Sequence, residues 1–290
     1  MDAGADRTIR WFFARSDVEA ALRLAREAEI EWPWDYARKF WPQMFSADSY
    51  SEVYAEAGAI EAQVNPVEVM NSIKGYWRYQ VARNVLLASS NVRNVLDFGC
   101  NRGLYAISLH NEIPELKWHC VDIDGPMVEQ ARRLSIVHTQ NPRSFSFATG
   151  TAVDLPAITF DGAMVMETLE HVWSFAETIQ CVESSVKKGG LIFGSLPSGP
   201  VEYDMWVEQP HRKREHLREI TLDDFWEVFG RKPGVRLAYQ SMGQSRNVNM
   251  QTACLFFTYV ADHEPAGEIN WARKLSLRGV PEVALPGEVL

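Results

Sequence analysis

Two hydrophobic rhythms divide the chain. Up to residue 89 the apolar positions recur every three or four residues, the helical period, in DVEAALRLAREAE (17–29), WDYARKFWPQM (34–44) and VMNSIKGYWRYQVARNVLLAS (69–89). The stretch 50–69 fits helix or loop. From Asn94 the texture changes to short apolar runs rich in β-branched and aromatic residues: NVLDFGC (94–100), LKWHCVDI (116–123), FSFATG (145–150), FDGAMVME (160–167), GGLIFGSLP (189–197), RLAYQSM (236–242) and QTACLFFTYV (251–260). Helical patterns at 103–112, 125–135, 174–187 and 221–230 lie between them, the last with Thr221 as its N-cap. Apolar strands alternating with helices predict an α/β fold with a doubly wound sheet of seven strands. The last two strands have no helix between them, which predicts an antiparallel hairpin closing the sheet. Residues 1–75 read as a helical cap, 76–260 as the main domain, and 261–290, rich in Pro, Gly and charge, as a loosely packed extension.

Composition narrows the class. At 46% hydrophobic over 290 residues the chain can bury a real core. No apolar run reaches the roughly 18–20 residues of a membrane span, and the opening MDAGADRTIRW carries acids where a signal peptide is basic and then apolar. The four cysteines, Cys100, Cys120, Cys181 and Cys254, form no CxxC. That argues against a disulfide framework or thiolate zinc site and fits a reducing cytoplasm. With 29 basic against 38 acidic residues, net charge −9, the overall field disfavours nucleic acid as a partner.

The first strand ends in Asp97-Phe-Gly99-Cys100-Asn101-Arg-Gly103, and a helix begins at once. Gly99 permits a tight turn, Gly103 a close helix–strand approach, and the exposed N–H groups suit a polar or anionic ligand. The second strand ends in Val-Asp122-Ile123-Asp124. Asp122 stands 23 residues after Gly99, where a carboxylate can accept both hydroxyls of a ribose.

VLDFGCNRG, VDID, GTAVDLP and FDGAMVMETLEHV together resemble the class I S-adenosylmethionine-dependent methyltransferases over about 94–260. The resemblance implies a Rossmann-like fold and S-adenosylmethionine as cofactor. It implies that Asp97 and the turn Gly99–Cys100–Asn101–Gly103 hold the methionine part, Asp122 the ribose, and that Ile123 packs on the adenine. Asn101 stands where the family often has a third glycine. Thr151 stands where many relatives carry an acid that contacts the adenine, leaving Ala152 to serve through its backbone. A nicotinamide enzyme would usually show G-x-G-x-x-G instead.

The fourth strand runs into Glu167-Thr-Leu-Glu170-His171, at the sheet edge where ligands bind in open α/β folds. If that segment is helical, the two carboxylates and the imidazole share a face. They suit general-base work or a divalent metal. His216, in the run HRKREHLRE after the fifth strand, can join them. The set Glu167, Glu170, His171 and His216 resembles the metal ligands of small-RNA 3′-terminal 2′-O-methyltransferases, which use a Mg²⁺-type ion. The same residues also resemble the E-x-x-E-H and later H-x-R-E stretches of metal-free methyltransferases of the ubiquinone-biosynthesis type. Glu167 is further expected at the edge of the cofactor. The basic run itself reads as a solvated face or as a clamp for a phosphate or carboxylate. Tyr203, Met205 and Trp206 read as lid or core, and Tyr76-Trp77-Arg78-Tyr79 as a cap on the cofactor pocket or as packing on the sheet.

The expected function is methyl transfer from S-adenosylmethionine to an oxygen of a small-molecule or sugar-type acceptor. Glu170, His171 and His216 would serve as base or as ligands of Mg²⁺ or Mn²⁺. The alternatives are metal-dependent 2′-O-methylation of an RNA end, a cofactor-binding but inactive partner subunit, and, more distantly, a dehydrogenase.

Overall fold

The computed structural model describes residues 3–46, 48–49, 52–55, 63–156, 160–201, 203–245, 250–276 and 279–287. The expected strands appear as β1 (Asn94–Phe98), β2 (Lys117–Asp122), β3 (Phe145–Thr149), β4 (Phe160–Met166), β5 (Val186–Ser198), β6 (Arg236–Gln244) and β7 (Gln251–Val260). They form one sheet in the order β3-β2-β1-β4-β5-β7-β6. The first five are parallel, and β7 runs antiparallel between β5 and β6. The order reverses between β1 and β4, so a crevice opens beyond the carboxyl ends of those two strands.

Alternation along the strands feeds two apolar layers. On β4, Ala163 and Val165 face one layer, with α8 (Phe175–Ser184) and α10 (Leu222–Phe229). Met164 and Met166 face the other, with α4 (Pro66–Gly75), α5 (Trp77–Ala88) and α6 (Leu104–Glu112). The helix α7 (Gly125–His138) follows β2 and is N-capped by Asp124. Thr221 and Asp224 form a reciprocal capping box on α10.

The single helix expected over 69–89 is two, α4 and α5, broken where Tyr76 is extended (φ −73°, ψ 134°). Asn65 caps α4 and Pro66 opens it, a start signal three residues before the apolar period becomes clear. Of the stretch 50–69, expected as helix or loop, residues 50–51 and 56–62 lie outside the described residues; 52–55 are helical, and 66–69 open α4.

A third apolar cluster belongs to the cap. It joins α1 (Ala3–Ala14), α2 (Val18–Glu27) and α3 (Trp32–Phe40) with Tyr203 and Trp206 of the short α9 (Tyr203–Glu208), Leu217 and Leu285. Tyr203 and Trp206 are therefore core. Neither α1 nor α9 stood out in the sequence. The tail is packed rather than loose. Lys274, in α11 (Trp271–Leu275), reaches Asp17 at 2.7 Å and Asp224 at 3.1 Å, and Tyr36 donates to the Pro286 carbonyl at 2.9 Å. Among the described residues no helix is long and apolar enough to cross a membrane.

Candidate active site

The crevice above β1 and β4 is a cavity of about 1110 Å³. Of the residues singled out in the sequence, it is lined by Asp97, Gly99, Cys100, Asn101, Asp122, Ile123, Thr151, Ala152, Glu167, Glu170, His171 and His216. Gly103 does not line it, although its neighbours Arg102 and Leu104 do.

The glycine turn is built from left-handed backbone: φ is +76° at Gly99, +47° at Asn101 and +67° at Gly103. Asparagine is among the few residues that tolerate this region, so Asn101 replaces a glycine without breaking the turn. A Cβ on Gly99 would come within 2.3 Å of the Thr168 hydroxyl, and one on Gly103 within 3.1 Å of Ala131. Thr168 in turn donates to the carbonyls of Phe98 and Met166, tying the ends of β1 and β4 together. Asp122 organises the turn: its two oxygens accept the Asn101 N–H at 2.7 Å and the Asp124 N–H at 3.0 Å. Each oxygen keeps a further lone pair for a ligand hydroxyl.

Asp97 is buried at the floor, and its Oδ2 has no hydrogen-bond partner among the described residues. Burial, with the neighbouring Asp122 charge adding to it, pushes its carboxyl up to about 8. An unsatisfied buried acceptor of this kind is made for a cationic donor such as an ammonium group.

Glu170, His171 and His216 come together on the far wall. One ligand atom from each lies within 4.8 Å of the others. Glu170 Oε1 is 3.7 Å from His171 Nε2, and the two imidazoles meet edge to face with centroids 4.7 Å apart. Burial, helped by Arg214, lowers His216 to about 3, which keeps that ring neutral. Glu167 lies outside the group. Its φ is +49°, so the segment is a turn and not a helix. Its carboxylate instead accepts the Ser195 hydroxyl at 2.6 Å.

The run around His216 is not a solvated face. Arg214, Arg218 and Glu219 are buried. Arg218 donates to the carbonyls of Val172 and Trp173 at 2.8 Å each, and Leu217 N–H donates to the Glu170 carbonyl at 2.8 Å. From the cap, Arg15 grips Glu219 with two bonds of 2.9 and 2.8 Å, and Trp41 Nε1 donates to the His216 carbonyl at 2.7 Å. The cap thus holds His216 against Glu170. Two further residues line the cavity, Arg78 from a segment singled out in the sequence and Tyr54 from a stretch read there only as helix or loop. Arg78 projects from the start of α5 and donates to the Tyr105 hydroxyl at 2.8 Å. Tyr54 packs edge-on against His171 at 5.8 Å.

A family profile described as a methyltransferase domain (Methyltransf_23) matches residues 73–232, more than half of the chain. The ubiquinone biosynthesis O-methyltransferase of Methylocella silvestris is 32% identical over 104 residues, 35% of this chain and 38% of that protein. The match thus spans well under half the length of this curated relative. Among solved structures, Haemonchus contortus phosphoethanolamine N-methyltransferase 2 with phosphomonomethylethanolamine and S-adenosylhomocysteine aligns with TM-score 0.50 at 16% identity, covering 64% of this chain and 53% of its own. An O-methyltransferase family protein from Burkholderia thailandensis aligns with TM-score 0.49 at 14% identity, covering 78% and 64%. At such identity the first of the two reports a shared fold alone. Taken with the sheet order, the glycine turn and the profile match, the chain belongs to the methyltransferase domain family, the class I S-adenosylmethionine-dependent methyltransferases.

Proposed function

We propose that the chain transfers the methyl group of S-adenosylmethionine to a hydroxyl oxygen of a small acceptor. One observation carries the reading: Glu170, His171 and His216 converge at the carboxyl end of β4, on the wall of the cavity that also holds the glycine turn. The cofactor supplies an electrophilic methyl on a sulfonium, which leaves the protein with alignment, exclusion of water and removal of a proton. The residues fit that cofactor. The unpartnered Asp97 oxygen takes its ammonium, Arg78 its carboxylate, and Asp122 its ribose hydroxyls, while Ile123 and Ala152 line the adenine end. Across the cavity Glu170 accepts the proton of the acceptor hydroxyl, with His171 and His216 fixing the direction of approach.

The cluster also favours a second reading of how that proton leaves. One carboxylate and two imidazoles are a donor set for a first-row divalent ion, and suit Mn²⁺ better than Mg²⁺, which prefers an all-oxygen shell. Glu170, His171 and His216 would hold such an ion, which would act as a Lewis acid on the acceptor hydroxyl. Glu167 stands outside the group, so the four-ligand set of the small-RNA enzymes is not assembled and 2′-O-methylation of an RNA end gains no support of its own.

Glu170→Gln should lower methyl transfer by roughly 10²–10⁴-fold, the usual weight of a general base, with cofactor affinity unchanged by titration calorimetry. Radiolabelled cofactor and a pool of hydroxyl compounds give the rate. Full activity of the wild type in excess chelator supports the base, and loss restored by Mn²⁺ supports the ion. A Glu170→Gln protein as active as wild type would reject both.

A further inference from the structure

We infer that the acceptor is an uncharged hydroxyl compound with an apolar body, and that the site rejects phosphate and carboxylate groups by charge. The inference rests on the methyl-transfer reading and narrows its substrate. Seven carboxyl groups line the cavity against two guanidinium groups among the described residues. Asp97, Asp122 and Asp124 lie on the side of the glycine turn, with Arg102. Glu167 and Glu170 follow β4, and Glu215, paired with Arg212, precedes His216, while Glu177 stands on α8 beside the Ala152 segment and Arg78 is the guanidinium given above to the carboxylate of the cofactor.

The cationic run that could have reversed this balance is turned away. Arg218 is spent on two backbone carbonyls and on Glu19 at 3.3 Å. Arg214 is buried over the Trp206 ring at 5.2 Å, and Arg212 pairs with Glu215 at 3.0 Å. Among the described residues no further arginine fork is therefore offered to a phosphate on the acceptor side, Arg78 bonding Tyr105 and serving the carboxylate of the cofactor. An anion entering there meets like charge in a partly desolvated site, which is discrimination by repulsion. Much of the remaining lining of the cavity is apolar. Val64, Val69, Ile73 and Val172 line it, and Trp173, 52% exposed, stands at the mouth. At about 1110 Å³ the cavity exceeds an ordinary single-ligand pocket, leaving room for an acceptor body beside the cofactor.

Trp173 reports the field directly. Its collisional quenching is the difference between wild type and Trp173→Phe, measured with caesium, iodide and neutral acrylamide at one ionic strength, with and without S-adenosylhomocysteine. Scaled to acrylamide, caesium should quench better than iodide by roughly sevenfold, the ratio set by a potential of about one kT per charge. Glu177→Lys, four residues on in the chain and also lining the cavity, should cut that ratio severalfold. Equal quenching, an iodide preference, or a ratio indifferent to Glu177→Lys would overturn the inference. In parallel, label from radiolabelled S-adenosylmethionine should pass from a metabolite extract into products that flow through an anion exchanger. Label retained on the exchanger overturns the inference too. Absence of any transfer strikes at methyl transfer itself, and the quenching ratio then still decides the charge of the site.

Discussion

Asp97→Asn should weaken S-adenosylmethionine about 10- to 100-fold in titration calorimetry while raising the melting temperature of the ligand-free protein at pH 8 and above. The first effect follows from losing a charge-assisted bond to the ammonium, worth about 1.5–3 kcal/mol. The second follows from linkage. The Asp97 carboxyl sits at about 8 in the folded protein, far above the ordinary carboxylate value, because it is buried and faces Asp122. A group raised in this way takes up a proton on folding. Its contribution to stability is complete below the unfolded value near 4 and is lost as pH rises through 8. Asparagine cannot ionise, so the variant should lack that alkaline loss. The bound cofactor should supply the missing counter-charge and flatten the same slope in the wild type. A variant with unaltered affinity would remove Asp97 from the cofactor site.

Arg15→Ala should cost about 3–5 kcal/mol, because it leaves the Glu219 carboxylate buried and unpaired. In a chain of this size that is a fall of order 10 °C in melting temperature. Methyl transfer should fall further than stability explains, since Glu219 lies three residues from His216 and cap contacts hold that segment. Cofactor affinity should stay near wild type, the glycine turn being on the other side of the cavity. The double variant Arg15→Met, Glu219→Leu removes both charges and should regain most of the lost stability. Calorimetry and the labelling assay, run on all three proteins, check each part. A double variant as unstable as Arg15→Ala would show that the pair is not what ties the cap to the site.

The difference between these two regions shows what could be read from the sequence. The seven strands and the glycine turn were legible because their signals are local: β-branched runs such as NVLDF, and glycines where φ is positive. The convergence of Glu170, His171 and His216 was legible as well, since two elements end on one sheet edge. Glu167 was harder to place. An i, i+3 spacing to Glu170 puts two carboxylates on one face only in a helix, and the left-handed backbone at Glu167 breaks that geometry. The run HRKREHLRE looked solvated because its partners are far off in the chain. Arg15 meets Glu219 across 204 residues, and no window of sequence contains both. The tail looked loose for the same reason, its anchor Lys274 being held by Asp17 and Asp224.

The cap has a consequence for the order in which the molecule is made. Its helices α1–α3 leave the ribosome before the sheet does, carrying Trp11, Phe12, Phe13, Phe40 and Trp41, all buried in the folded chain. The residues that cover them, Trp206, Leu217 and Leu285, come at least 160 positions later. During synthesis the sheet can close strand by strand up to β5 while the cap's apolar surface stays open to solvent and to chaperones. Completion of the cap is then a late docking event dominated by remote contacts, the slow kind. Because that event also brings His216 to Glu170, a newborn chain acquires its glycine turn before its cluster of Glu170, His171 and His216.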